Sequence, residues 1–160
     1  MARSSHQIVD GRAHVVVDNN VLLAASAEDV WNVVGEFLKL EDWIRTISVS
    51  REEPGSHDQK LRRVLMVEND VELVERELER HDRWYTYALV EHPFPISDYH
   101  GEMAVYLLLQ EEPESLFRWK VQFQCDPAAV DELVKLAHQL IYDPGLAALV
   151  ERFGLPERRP

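Results

Sequence analysis

The hydrophobic period of this chain changes once for good, at Asp126. Between Thr46 and Gln124, short strand-like runs rich in apolar residues are broken by turns, the last with Phe117, Trp119, Val121 and Phe123 at every second position. That is the pattern of strands with one buried face. From Asp126 to Phe153 the period is that of a helix. Val130, Leu133, Val134, Ala137, Leu140 and Ile141 form one stripe, and Gly145, Leu146, Leu149 and Phe153 extend it. A run of antiparallel strands needs cover for one face, and the long helix behind it is the cover this chain supplies. A helix of about 25 residues is nearly 38 Å long at 1.5 Å per residue, enough to cross a whole sheet. An α+β fold follows: a curved antiparallel sheet of about seven strands around a long C-terminal helix, with space between them for a small molecule.

The remaining elements fit that frame. His14 to Leu23 is Val- and Leu-rich and reads as the first strand. Ser26 followed by Asp29 is a capping box, and Val30, Val33, Val34, Phe37 and Leu38 continue at helical spacing, so a helix is expected over Ala27 to Leu38. Leu40 to Ile44, with Trp43, forms a second short helix. Strands are expected over Thr46–Arg51, Lys60–Val67, Val71–Arg80, Trp84–Glu91, Tyr99–Leu109 and Leu116–Gln124. Turns fall at Glu52–Ser56, Glu68–Asp70, His81–Arg83 and Glu111–Glu114. His92-Pro93-Phe94-Pro95 is a stiff loop, since each proline fixes its own φ and extends its predecessor. Asp126 caps the last helix, Pro127 opens it, and Pro144 is expected to kink it near Ile141–Pro144. The expected domain is 12–154, with polar, frayed tails at 1–11 and 155–160.

Composition narrows the function. The 160 residues suit one domain able to bury a core without staples. Seventeen basic against 29 acidic side chains leave a net charge of −12. Nucleic acid and anionic membranes call for basic patches, so neither is expected as a main partner. A single cysteine, Cys125, leaves no intramolecular disulfide and no cysteine-cluster zinc site. Seven histidines show no paired ligand spacing, and no phosphate-binding glycine loop or serine elbow occurs. No metal or cofactor is therefore expected. The polar N-terminus lacks a signal-peptide pattern and no run approaches a membrane span, so a cytoplasmic location without stable membrane insertion is expected. Monomer and homodimer stay open.

Four stretches carry a family likeness. Ala25-Ser26-Ala27-Glu28-Asp29-Val30-Trp31, with Trp43 after it, is the first. Val74-Glu75-Arg76 followed by His81-Asp82 is the second. Tyr85-Thr86-Tyr87 with Pro93-Phe94-Pro95-Ile96-Ser97-Asp98-Tyr99 is the third, and Gly145-Leu146-Ala147-Ala148-Leu149 the fourth. In this order and spacing they resemble the START-like, helix-grip superfamily of birch-pollen-allergen-like proteins. Within it they resemble the bacterial polyketide cyclase/dehydrase family, with plant abscisic acid receptors as more distant relatives. The likeness spans about Val15 to Phe153.

The resemblance implies a site. It turns Glu75 toward the cavity, whereas the surrounding Glu72, Arg76, Glu77, Glu79 and Arg80 are equally the pattern of a solvated strand. Glu77 departs from the family, which usually has an apolar residue there. A carboxylate in a mostly apolar cavity would have its pKa raised and could act as a general acid or base. Arg63 corresponds to a family arginine, read either as partner of Glu75 or as a surface charge. Tyr87 and Tyr99 are placed on the cavity wall, with Gly101 and Met103 sharing the face of Tyr99 and Gly101 leaving space there. Trp119, Val121 and Phe123 form the next inward set, and Ala137, Ile141 and Gly145 face the same space from the helix. Trp43 joins the ligand-binding set, and Glu75 and Tyr99 are the catalytic candidates. The loops at Val67–Asp70 and His92–Asp98 flank the mouth.

Three functions are compatible with this. The first is binding of a small hydrophobic, aromatic or polyketide-like molecule or lipid between sheet and helix. The second is a cyclase or dehydratase in which Glu75 shuttles a proton and Tyr87 or Tyr99 polarises a carbonyl. The third is a ligand-gated partner-binding module with an apolar rim at Phe94 and Ile96. The first two require a cavity of at least about 300 Å³.

Overall fold

In the computed structural model, residues 2–54, 58–68, 70–109 and 111–157 are described. The strands are β1 (Ala2–Val9), β2 (Arg12–Leu23), β3 (Ile47–Glu52), β4 (Leu61–Met66), β5 (Glu72–His81), β6 (Trp84–Glu91), β7 (Ser97–Leu107) and β8 (Ser115–Cys125). They form one antiparallel sheet in the order β1-β2-β8-β7-β6-β5-β4-β3. Between β2 and β3 lie helix α1 (Ala27–Val34) and one 3₁₀ turn (Leu40–Asp42). The C-terminal helix comprises α2 (Val130–Ala137), a π-helical turn (His138–Tyr142) and α3 (Asp143–Phe153). A sheet gripping one long helix is the expected architecture, with eight strands rather than about seven.

The extra strand is β1. Its residues are all exposed, so no burial pattern marks it and the frayed-tail expectation for 1–11 does not hold. What holds it is the ladder to β2, with Val9 opposite Arg12 across a two-residue turn. Asp10 and Gly11 both have positive φ, 50° and 78°, as a tight hairpin turn requires. Asp-Gly was the available signal. The C-terminal tail continues as irregular chain at Leu155–Glu157, and residues 158–160 lie outside the described residues. So do Gly55 and Ser56 of the expected turn and Asn69 of the β4–β5 connector.

Local chemistry explains the other boundaries. Ser26 accepts from the Asp29 backbone N–H at 3.1 Å and opens α1. The helix stops at Gly35 rather than Leu38, while Phe37 and Leu40 still enter the core, each at most 2% exposed. Asp126 accepts from the Ala128 N–H at 2.9 Å, capping the last helix through a 3₁₀ turn, Pro127–Ala129. Where a kink was expected before Pro144, the helix passes through the π-helical turn. Pro144 lacks the N–H that would close an ordinary turn onto Leu140, and the turn before it widens, with the Asp143 N–H donating to the His138 carbonyl. At the far end, Gly154 donates to Val150 and accepts from the Ala24 N–H at 2.9 Å, tying the helix end to the strand that leads into α1.

The core lies between the concave face of the sheet and the helices, and includes Val15, Val17, Phe37, Ile44, Tyr85, Phe117, Trp119 and Leu149. Among the described residues, no helix is long and apolar enough to cross a membrane.

Candidate functional site

The cavity opens between β4–β8 and the C-terminal helix. From the sheet it is walled by Arg62, Leu73, Glu75, Tyr87, Leu89, Met103, Trp119 and Phe123, and by Tyr99 at the start of β7. The helix contributes Leu133, Leu136, Ala137, Leu140, Ile141 and Tyr142. Phe94 and Ile96 reach in from the β6–β7 loop. Its volume is about 80 Å³, well short of the expected 300 Å³. The walls have to give for anything larger than a small ring to enter. Beside it, sharing Met66 and Val71, lies an open cleft of about 470 Å³ bordered by Arg63, Asp70, Glu72, Glu91 and His92. The cleft lies where the two mouth loops were expected.

Glu75 faces inward and is 6% exposed. A break in the β5–β6 register beside it, with Val90 as the extra residue, leaves Leu73, Val74 and Glu75 all buried. A second break, at Leu78, ends the simple alternation: Glu79 turns out, and Arg80 packs its guanidinium over the rings of Tyr85 and Trp31. Glu77, the family departure, has Lys60 and Arg80 as ion-pair partners.

The partner of Glu75 is Arg62, not Arg63. Arg62 is 1% exposed and its Nε–H donates to Glu75 Oε1 at 2.9 Å. A terminal N–H of Arg62 donates to the Phe37 carbonyl at 2.7 Å, and the guanidinium lies 3.9 Å from the Phe37 ring centre. Burial works against the Arg62 charge, but Glu75 and the Tyr85 hydroxyl more than offset it and raise its pKa. Arg63 points to the other face, where it bonds both oxygens of Glu53 at 2.8 Å and reaches Glu72. The cause is register. Arg62 sits opposite Glu75, whereas a three-residue connector at Glu68–Asp70 would have set Arg63 there. A slip of one residue exchanges the faces of a strand. The charge of Glu75 is therefore matched by an adjacent guanidinium, and the premise of an isolated carboxylate in an apolar space does not hold.

The tyrosines form a chain. Trp119 Nε1–H donates to the Tyr87 hydroxyl at 2.9 Å. The Tyr87 and Tyr99 hydroxyls are 3.5 Å apart, and Tyr99 and Tyr142 are hydrogen-bonded at 2.8 Å. Burial pushes the pKa of all three phenols up, so they stay protonated at neutral pH and serve as donors rather than bases. Tyr142 escaped the sequence reading because a regular helix does not single it out. The π-helical turn rotates it toward the sheet.

Met103, Phe123, Ala137 and Ile141 line the cavity as expected. Besides Arg63, four expected positions do not. Trp43 lies behind the wall, its ring 5.7 Å from that of Trp119. Gly101 leaves no free space, because the Tyr87 ring fills it: a Cβ there would lie 2.2 Å from Tyr87 Cζ. Val121 is fully buried between Trp119 and Phe123 on the strand, too short to share their surface. Gly145 meets the Trp119 and Trp43 rings and closes that end. Cys125 is buried, and burial raises its thiol pKa. Among the described residues no group of three or more His, Cys, Asp or Glu could hold a metal ion.

A sheet gripping a helix over an apolar, tyrosine-lined interior defines the START-like class. Residues 14–154 match the family described as polyketide cyclase/dehydrase and lipid transport, and the chain belongs to that family. Among solved structures, the protein XoxI from Bacillus cereus is 27% identical, with a TM-score of 0.75 over 86% of this chain and 94% of its own. The ZhuI aromatase/cyclase from Streptomyces sp. R1128 shares the fold at 16% identity, TM-score 0.69, over 87% and 93% of the two chains. So does norcoclaurine synthase from Thalictrum flavum, solved with dopamine and hydroxybenzaldehyde, at 17% identity and TM-score 0.63 over 88% and 84%. No curated protein sequence matches the chain.

Proposed function

We propose that this protein binds a small aromatic or polyketide-like molecule between the sheet and the C-terminal helix. The observation that carries this is the wall itself: aromatic and aliphatic side chains with a few convergent polar groups, Glu75, Tyr87, Tyr99 and Tyr142. Family membership supports a hydrophobic ligand, and the structural relatives include proteins that act on or hold aromatic molecules. The small volume requires wall residues to move when the ligand enters, and we assign that movement to the half-buried Phe94 and Ile96 of the β6–β7 loop.

One observation favours an enzyme: a carboxylate and three phenols meet on the wall of one cavity. The phenols could polarise a carbonyl. Against a proton shuttle at Glu75 stands its bond to Arg62. The partner-binding alternative loses its support, since Phe94 and Ile96 pack inward instead of forming an exposed apolar rim.

Native mass spectrometry of protein purified from its own host tests the binding function. A discrete small-molecule adduct, lost on denaturation, is expected. Apoprotein alone, joined to an absence of saturable binding by single-ring aromatic probes, would refute it.

A further inference from the structure

The polar groups on the cavity wall do not balance among themselves, and the imbalance describes a ligand. Tyr87, Tyr99 and Tyr142 bring three O–H donors. Trp119 donates to Tyr87 at 2.9 Å, so the Tyr87 proton must find an acceptor elsewhere. Tyr99 and Tyr142 share one proton at 2.8 Å. The 3.5 Å between Tyr87 and Tyr99 is at the outer limit of an O–H···O bond. A row of three hydroxyls has two links. Whichever way the protons run, at least one of the three is left over, and all three tyrosines line the cavity.

Glu75 is surplus in the opposite sense. A carboxylate accepts at both oxygens. Oε1 takes the Arg62 Nε–H, and Oε2 has no donor among the described residues. The charges are already spent, since Arg62 is matched by Glu75. The cleft outside carries Asp70, Glu72 and Glu91 around Arg63. Among the described residues that line the cavity, Arg62 is the cation and it is already paired, so a further buried negative charge would go unmatched.

We propose that the cavity selects an uncharged aromatic ligand whose hydroxyl donates to Glu75 while its oxygen accepts from the tyrosine row, and that it rejects aromatic carboxylates. A phenolic hydroxyl can donate and accept at one atom, and a single ring demands the least displacement of the walls of a cavity of about 80 Å³. This rests on the binding function proposed above.

Fluorine NMR titrations of the full chain with four single-ring probes test it: para-fluorotoluene, para-fluoroanisole, para-fluorophenol and para-fluorobenzoate. The phenol should bind about tenfold more tightly than the anisole, which accepts but cannot donate. The benzoate should be at least about tenfold weaker than the phenol. In Glu75→Gln, Arg62 holds the amide oxygen and the amide NH₂ takes the place of Oε2. An acceptor becomes a donor, and the preference for phenol over anisole should vanish or invert. The wild-type ranking stands even where that variant does not fold. Toluene, anisole and phenol binding alike, or benzoate binding as tightly as phenol, would overturn the inference while leaving the binding function intact. Saturable binding by none of the four would overturn both.

Discussion

Replacing Arg62 with alanine is expected to destabilise the protein by about 3–5 kcal/mol, because it strands the Glu75 carboxylate in the interior without its partner. Glu75 is 6% exposed, and the arginine also supplies a bond to the Phe37 carbonyl and a cation stacked on the Phe37 ring. Urea unfolding measures the loss. Removing both charges, as in Arg62→Met with Glu75→Leu, should restore most of it, since a buried pair is often replaceable by apolar residues of similar volume. Arg63→Ala is the contrast. Arg63 lies on the outer face among Glu53, Glu72 and Glu91, in contact with water, and its loss should be much milder. Equal effects at Arg62 and Arg63 would show that the β4–β5 register described here is wrong.

Trp119→Ala is the second large effect, expected at about 3–5 kcal/mol. The indole is 1% exposed and meets the rings of Trp43, Phe117 and Tyr142. Its removal empties a space next to the cavity and deletes the donor that fixes Tyr87. Trp119→Phe keeps much of the packing but not the N–H, and should cost about 1–2 kcal/mol. Thermal unfolding followed by circular dichroism distinguishes the two variants. Near-equal losses would mean that the hydrogen bond, not the ring, dominates.

The architecture was legible because the hydrophobic period records burial. Strands with one wet face and a helix with one apolar stripe leave different spacings, and the switch at Asp126 marks their junction. Turn and cap chemistry was legible where side chains act locally, at Ser26 and Asp126. What period does not record was lost. β1 buries nothing, so only its Asp-Gly turn betrayed it. Register is set by how many residues a connector spends, and one residue between β4 and β5 decided whether Arg62 or Arg63 met Glu75. The bulge at Leu78 and the π-helical turn at His138–Tyr142 each change a face mid-element, which hid the turn to Arg80 and the inward aim of Tyr142. Glu75, Tyr87 and Tyr99 line the cavity where the resemblance put them, and Trp119 and Ile141 where the strand and helix faces did. Gly101 and Val121 share that inner face but not the cavity: the Tyr87 ring occupies the space in front of Gly101, and Val121 is fully buried.

The central claim is that a small aromatic molecule sits between this sheet and this helix. Intermolecular nuclear Overhauser effects from para-cresol bound to isotope-labelled protein test it most directly. Contacts are expected from the cresol methyl to Ile141 and Leu133 on the helix and, in the same complex, to Met103 and Leu73 on the sheet. Contacts confined to Leu65 and Pro93 in the outer cleft, or to the outer face of the sheet, would contradict it.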